Sequence, residues 1–174
     1  MAPTSSTTAQ LAMGDALVVA LLTLKGFTRD DFAVFHPSGV LGRSLIMRVG
    51  ELMHGGDELP VVTADMTLRQ SLPEIVAKRL GGTCVVDDQG LLVGVCVDGD
   101  VKRVLLSGDE ALDRPITEAM NPAPTTVGPD LLAARALRLM EERPEGPITL
   151  LIVVDEDGRP VGLLHIHDVL RAGL

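Results

Sequence analysis

The sequence predicts a mixed α/β (α+β) fold built from two copies of one β-α-β-β-α unit, related by a pseudo-twofold axis and preceded by a helical segment. Three observations carry this. Val85-Val86-Asp87-Asp88-Gln89-Gly90-Leu91-Leu92-Val93-Gly94 recurs as Val153-Val154-Asp155-Glu156-Asp157-Gly158-Arg159-Pro160-Val161-Gly162, an offset of 68 residues. That offset also carries Asp100 onto Asp168, and a near-equal offset of 67 carries Glu51 and Met53 onto Glu118 and Met120. Apolar spacing alternates between helical and extended periods in the same order in both copies.

In the first copy, Leu68, Leu72, Ile75, Val76 and Leu80 mark one face of a helix from Thr67 to Leu80. Thr67 suits its N-cap and Gly81-Gly82 its stop. Pro73 predicts a kink or a later start, because an interior proline removes a backbone hydrogen bond. Thr83 to Val86 reads as a strand, Asp88-Gln89-Gly90 as a turn, Leu92 to Val97 as the returning strand, and Asp98 to Leu106 as a second helix. The second copy repeats the series: helix Asp130 to Glu142, strand Ile148 to Val154, turn at Asp157-Gly158, strand Val161 to Leu164, helix Ile166 to Ala172. A unit of about 60 residues is marginal alone. The copies are therefore expected to pack sheet against sheet and leave a cleft between them. Ahead of them, Ala9 to Lys25 reads as a helix. The hydroxyls of Thr4 to Thr8 stand at its start, where they suit capping or an anion.

Composition narrows the function. Of 174 residues, 46% are apolar but only 2% aromatic, with no Trp or Tyr, and the net charge is −9. A chain without aromatic platforms and with this charge is poorly suited to nucleic acid or to an anionic membrane surface, so neither is an expected partner. The apolar stretch Leu11 to Leu24 contains Asp15 and is short for a bilayer, and no basic region precedes it as in a signal peptide. Cys84 and Cys96 lack metal-knuckle or CxxC spacing and read as buried thiols of a cytoplasmic protein.

The segments Gly94-Val95-Cys96-Val97-Asp98-Gly99-Asp100 and Gly162-Leu163-Leu164-His165-Ile166-His167-Asp168 resemble the strand-to-helix signature of cystathionine-β-synthase-type (CBS) domains. The resemblance implies a tandem CBS pair whose signature hydroxyl and Asp bind the ribose of an adenine nucleotide in the cleft between domains. Such a carboxylate accepts sugar hydroxyls, and a nearby helix N-terminus favours a phosphate. Here the hydroxyl position is Val97 in one copy and His165 in the other. The ligand-binding candidates are therefore Asp100, Asp168, His165 and Val97, with an anion other than an adenosine nucleotide favoured. Asp65 and Glu118 are weaker candidates, since the segment before each first strand borders the cleft in such pairs. A plain helix-start role stands beside the binding role for Asp98, Asp100 and Asp168. His165 and His167 alone are too few for a metal site, and no metal or cofactor is expected.

Pro3 to Thr8, Gly14-Asp15-Ala16-Leu17, Phe32 and His36-Pro37-Ser38-Gly39-Val40-Leu41-Gly42-Arg43 resemble the end of the sugar-isomerase (SIS) domain in arabinose-5-phosphate isomerases of the KpsF/GutQ type. The likeness continues through His54, Gly56-Asp57-Glu58 and Pro60, and closes at His165 to Gly173. It implies interconversion of D-arabinose 5-phosphate and D-ribulose 5-phosphate for lipopolysaccharide or capsule synthesis. By the same resemblance His36 matches a histidine that moves a proton. Without it, His36 reads as ordering the loop before Pro37. No phosphate loop of that domain is present, so the chain alone is expected to lack turnover. The resulting division is 1–47 as the remnant of the SIS domain, 48–112 as CBS domain 1 and 113–174 as CBS domain 2. Expected partners are a nucleotide, nucleotide-sugar or sugar-phosphate effector, the missing SIS domain of the parent enzyme, and further copies of the chain in a homodimer or homotetramer. The alternative is a purely structural oligomerisation module without a ligand.

Overall fold

In the computed structural model, residues 3–28, 31 and 46–174 are described. The chain forms two units, Met1–Ile46 and Met47–Leu174.

The first unit contributes α1 (Thr4–Leu24), which begins earlier than the expected Ala9. The hydroxyls read as caps lie inside it. Thr7 Oγ1 donates to the Pro3 carbonyl at 2.7 Å and Thr8 Oγ1 to the Thr4 carbonyl at 2.9 Å. They bond back along the helix, which satisfies the hydroxyls and leaves the first amides without a side-chain cap. At 21 residues, α1 is long and apolar enough, by length and composition, to cross a membrane. The apolar stretch Leu11 to Leu24 is its later part. None of its residues is buried. All-round apolarity belongs to helices that are covered on every side, by protein or by lipid.

The second unit contains β1 (His54–Gly55), β2 (Val61–Thr63), α2 (Leu68–Lys78), β3 (Gly82–Val86), β4 (Leu92–Val97), α3 (Asp98–Leu105), β5 (Thr126–Val127), α4 (Ala133–Glu141), β6 (Leu150–Val154), β7 (Pro160–His165) and α5 (Ile166–Arg171). Two β-α-β-β-α series follow β1, as the repeat predicts. The sheets have the orders β2-β3-β4 and β1-β7-β6-β5. In each, the first strand of the series runs parallel to the second, and the second and third form an antiparallel hairpin. Both hairpins shift register at equivalent places, Val85/Val86 and Val153/Val154.

Local sequence explains the element ends. Thr67 and Gln70 form a reciprocal capping box: the Thr67 hydroxyl accepts from the Gln70 amide at 3.2 Å, and Gln70 Oε1 accepts from the Thr67 amide at 2.9 Å. The helix runs on through Pro73 with no delayed start, and Arg79 ends it in the left-handed region at φ 58°. By contrast α4 begins at Ala133 rather than Asp130. The residues before it are held extended by the lead-in of the first copy: Val49 N–H donates to the Leu131 carbonyl at 2.9 Å, and Ala133 N–H to the Met47 carbonyl at 2.8 Å.

That contact has a pseudo-symmetric twin. Ile116 N–H donates to the Met66 carbonyl at 2.9 Å, and Leu68 N–H to the Arg114 carbonyl at 3.0 Å. The two lead-in segments are thus exchanged. Val49 is buried with Val127, Met140, Leu151 and Val169 of the second copy, while Ile116 is buried with Val62, Leu68, Val85 and Cys96 of the first. A third cluster, Leu59, Cys84, Val95, Leu150, Ile152 and Leu163, joins residues of both sheets. The exchange also explains the recurring Gly and Met. A Cβ on Gly94 would come 2.5 Å from Met120 Sδ and 2.9 Å from the Asn121 carbonyl, and one on Gly162 would overlap Met53 Sδ. Each methionine lies over the glycine of the other copy.

Candidate functional site

The end of β4 and the start of α3 face the lead-in to β5 and the loop between α4 and β6. A cavity of about 300 Å³ opens there, with Val95, Val97, Pro124, Pro147, Ile148, Leu150 and Ile152 among its walls. Its polar lining is Asp100, Asn121, Thr125, Arg143 and Thr149. Apolar walls with a few convergent polar groups are the usual make-up of a small-molecule site.

Asp100 is 7% exposed. Its Oδ2 accepts from the Val97 amide at 3.0 Å and its Oδ1 from Arg103 Nη1 at 2.8 Å. Val97 has no side-chain acceptor, so only the acidic half of a capping box forms. Arg143, also in the lining, donates from Nη1 to Thr125 Oγ1, and its Nη2 lies 3.5 Å from Glu145 Oε2. Arg143 Nε is buried and has no hydrogen-bond partner among the described residues. Leaving such a donor unmatched costs about 1–3 kcal/mol. A guanidinium at a cavity wall is suited to a phosphate or carboxylate.

The pseudo-twofold equivalent of this position is the β7–α5 junction, where His165 and Asp168 stand in for Val97 and Asp100. His54 stands in for Asn121: His54 pairs with Leu163 as Asn121 pairs with Val95. Here the polar groups bond one another. His54 Nε2 lies 3.0 Å from Asp168 Oδ2, and His54 Nδ1 lies 2.8 Å from Glu58 Oε2. Burial disfavours charge on His54, but its bonds to Glu58 and Asp168 together outweigh that and hold its pKa above the ordinary histidine value. Lys78 Nζ donates to the Asp57 carbonyl. His165 Nδ1 accepts from the His167 amide at 3.1 Å, and burial, then the neighbouring His167, lowers its pKa. The His165 and His167 rings are 4.8 Å apart. Among the described residues no group of three or more His, Cys, Asp or Glu is placed to hold a metal ion.

The other sequence candidates lie elsewhere. Asp65 sits on an exposed turn and accepts a bond from Thr63 Oγ1. Glu118 lines a separate recess of about 70 Å³ with Arg114, its Oε2 lying 3.8 Å from Arg114 Nη1. His36 lies outside the described residues. Cys84 and Cys96 are buried free thiols, both pushed up to about 12 by burial. Asn121, Thr125, Arg143, Thr149 and His54 were not singled out from sequence. A signal existed for two of them, since Asn121 and His54 directly follow Met120 and Met53 in the 67-residue offset. Arg143 and Thr149 flank or occupy a loop that only the fold brings to the cleft.

Comparison with known proteins decides the family. The CBS domain profile matches residues 49–107 and 116–174. The chain belongs to the CBS-domain family. Its CBS pair is 29% identical to CBSX2 as solved in complex with AMP, with a TM-score of 0.62 over 72% of this chain and 95% of that one. CBSX2 is a CBS-pair protein from Arabidopsis thaliana. A CBS-domain-containing protein from Agrobacterium tumefaciens shares the fold at 18% identity, with a TM-score of 0.64 over 74% of this chain and 95% of that one. Over all of its length the chain is 48% identical to the arabinose 5-phosphate isomerase KdsD of Escherichia coli K12 and 47% identical to that of Pseudomonas aeruginosa, covering 52% of each. It therefore spans about half the length of these curated relatives.

Proposed function

We propose that the CBS pair is the regulatory module of an arabinose 5-phosphate isomerase, binding a nucleotide, nucleotide-sugar or sugar-phosphate effector in the Asp100 cleft. The supporting observation is the roughly 300 Å³ cavity whose lining includes both Arg143 and Asp100. A cation and a carboxylate among largely apolar walls suit a ligand that carries both an anionic group and hydroxyls. CBSX2, solved with AMP, supports the nucleotide class. Val97 supplies no hydroxyl to a ribose, which favours a ligand other than an adenosine nucleotide. Residues 1–47 are read as the end of the sugar-isomerase domain, 48–112 and 113–174 as the two CBS domains, and His36 as part of the catalytic site of the whole enzyme. The reading places the protein in the cytoplasm, where reduced, buried thiols such as Cys84 and Cys96 persist.

Calorimetry with AMP, UDP-glucose and arabinose 5-phosphate tests this. Binding of at least one of them, weakened about 10- to 100-fold by Arg143→Ala through loss of charged hydrogen bonds, is expected. Uniform silence would overturn the reading. A structural role in oligomerisation is the second reading, favoured by the fact that both Asp100 oxygens already have partners within the chain. Size-exclusion of Asp100→Ala and Asp168→Ala with and without ligand separates the two: altered assembly without any ligand effect supports the structural role.

A further inference from the structure

The two half-clefts are related by the repeat, yet only one carboxylate is bonded by the facing copy: Asp168 by His54, whereas Asp100 is held by Val97 and Arg103 of its own copy. In the Asp100 half, Arg143 bonds Thr125 and lies near Glu145, and Asn121 Oδ1 accepts from the Ala123 amide at 3.0 Å, so among the described residues neither side chain reaches Asp100. In the Asp168 half, the counterparts of these groups are taken. His54, the counterpart of Asn121, bonds Asp168 and Glu58. Lys78 is the counterpart of Arg143, because α2 buries Leu68, Ser71 and Ile75 in the same spacing in which α4 buries Ala133, Ala136 and Met140. Its ammonium bonds the Asp57 carbonyl.

One insertion accounts for the difference. The segment from His54 to Val61 is longer than the matching one from Asn121 to Thr126, and the extra chain forms the turn Gly56–Glu58. Gly56 takes φ 56° there, a value that glycine adopts without strain. The second copy has Pro122-Ala123-Pro124 instead, which offers neither the carboxylate of Glu58 nor the carbonyl of Asp57.

We propose that the pair holds one ligand per chain, and that His54 with the Gly56–Glu58 turn is a built-in occupant of the Asp168 half. This rests on the reading of the Asp100 cleft as a ligand site. A sugar diol reaching Asp168 must first displace the His54 imidazole, which the exposed Glu58 carboxylate holds from its other ring nitrogen. Removing the occupant exposes a second carboxylate site for the vicinal hydroxyls of a nucleoside or sugar phosphate.

The test is calorimetry on the full chain with AMP, UDP-glucose and arabinose 5-phosphate as probes. Wild type is compared with the double variant His54→Asn, Glu58→Ala, which copies the open half, and with that variant carrying Asp168→Ala. Wild type should take no more than one equivalent. The double variant should gain one further equivalent, and Asp168→Ala should remove the gain. That gain supports the closed half even if wild type is silent, in which case only the reading of the Asp100 cleft fails. A folded double variant that binds no more than wild type overturns the proposal, as does a wild type that binds two. Should the double variant not fold, His54→Gln alone is read by the same count.

Discussion

Ile116 opens the second copy, yet it is 0% exposed and packs with Val62, Leu68, Val85 and Cys96 of the first copy. Ile116→Ala removes three buried carbons from that core. At about 0.8 kcal/mol per buried carbon, plus a term for the space left behind, the loss should be about 3 kcal/mol. For a unit of this size, about 3–5 °C of Tm accompanies each kcal/mol, so Tm should fall by about 10–15 °C. Urea unfolding followed by circular dichroism gives the free energy, and a thermal scan gives Tm. Because the lead-ins are exchanged, both copies should still unfold in one transition with an unchanged slope and a lower midpoint. Val49→Ala, the twin change, should behave alike at about 2 kcal/mol. A loss under about 1 kcal/mol would refute the exchange as a source of stability. So would a split curve in which the second copy keeps the wild-type midpoint.

Two further predictions concern the titrating groups. His54 has a folded pKa above its unfolded value, so the stability it adds is complete below about pH 6.5 and fades as pH rises through the folded pKa. The stability gap between wild type and His54→Asn should be about 0.5–1 kcal/mol near pH 5.5 for this partly exposed pair, and should shrink toward pH 8.5. A gap that widens with pH would contradict the pairing. Cys84 and Cys96, both pushed up to about 12, should resist iodoacetamide in the native protein at about pH 8 and react once urea unfolds it. Rapid labelling of either thiol in the native state would show that the core is more open than described.

The capped helix at Thr67, the hairpins Gly82–Val86/Leu92–Val97 and Leu150–Val154/Pro160–His165, and the two-copy architecture were legible because each rests on contacts near in sequence or on repetition. Asp100, Val97, Asp168 and His165 were legible as a set for the same reason, since they recur at one offset. The late start of α4 was not, because the backbone of residues 129–132 is held by residues 47–50, a long-range partner that local propensity does not register. Nor was it legible that Arg143 lines the Asp100 cleft or that His54 bonds Asp168, since each depends on groups from the facing copy or on a turn whose path only the fold sets.

By itself the sequence determined that there are two copies, which residues alternate or recur every turn, and where a carboxylate stands at each strand-to-helix junction. The tertiary structure alone decided that each copy completes its core with the other's lead-in, and that Asp168 is bonded by His54 of the facing copy while Asp100 is held within its own. Repetition fixes what is equivalent. Which equivalent groups find partners depends on distances across the pseudo-twofold axis, and a small insertion between His54 and Val61 changes those distances on one side only.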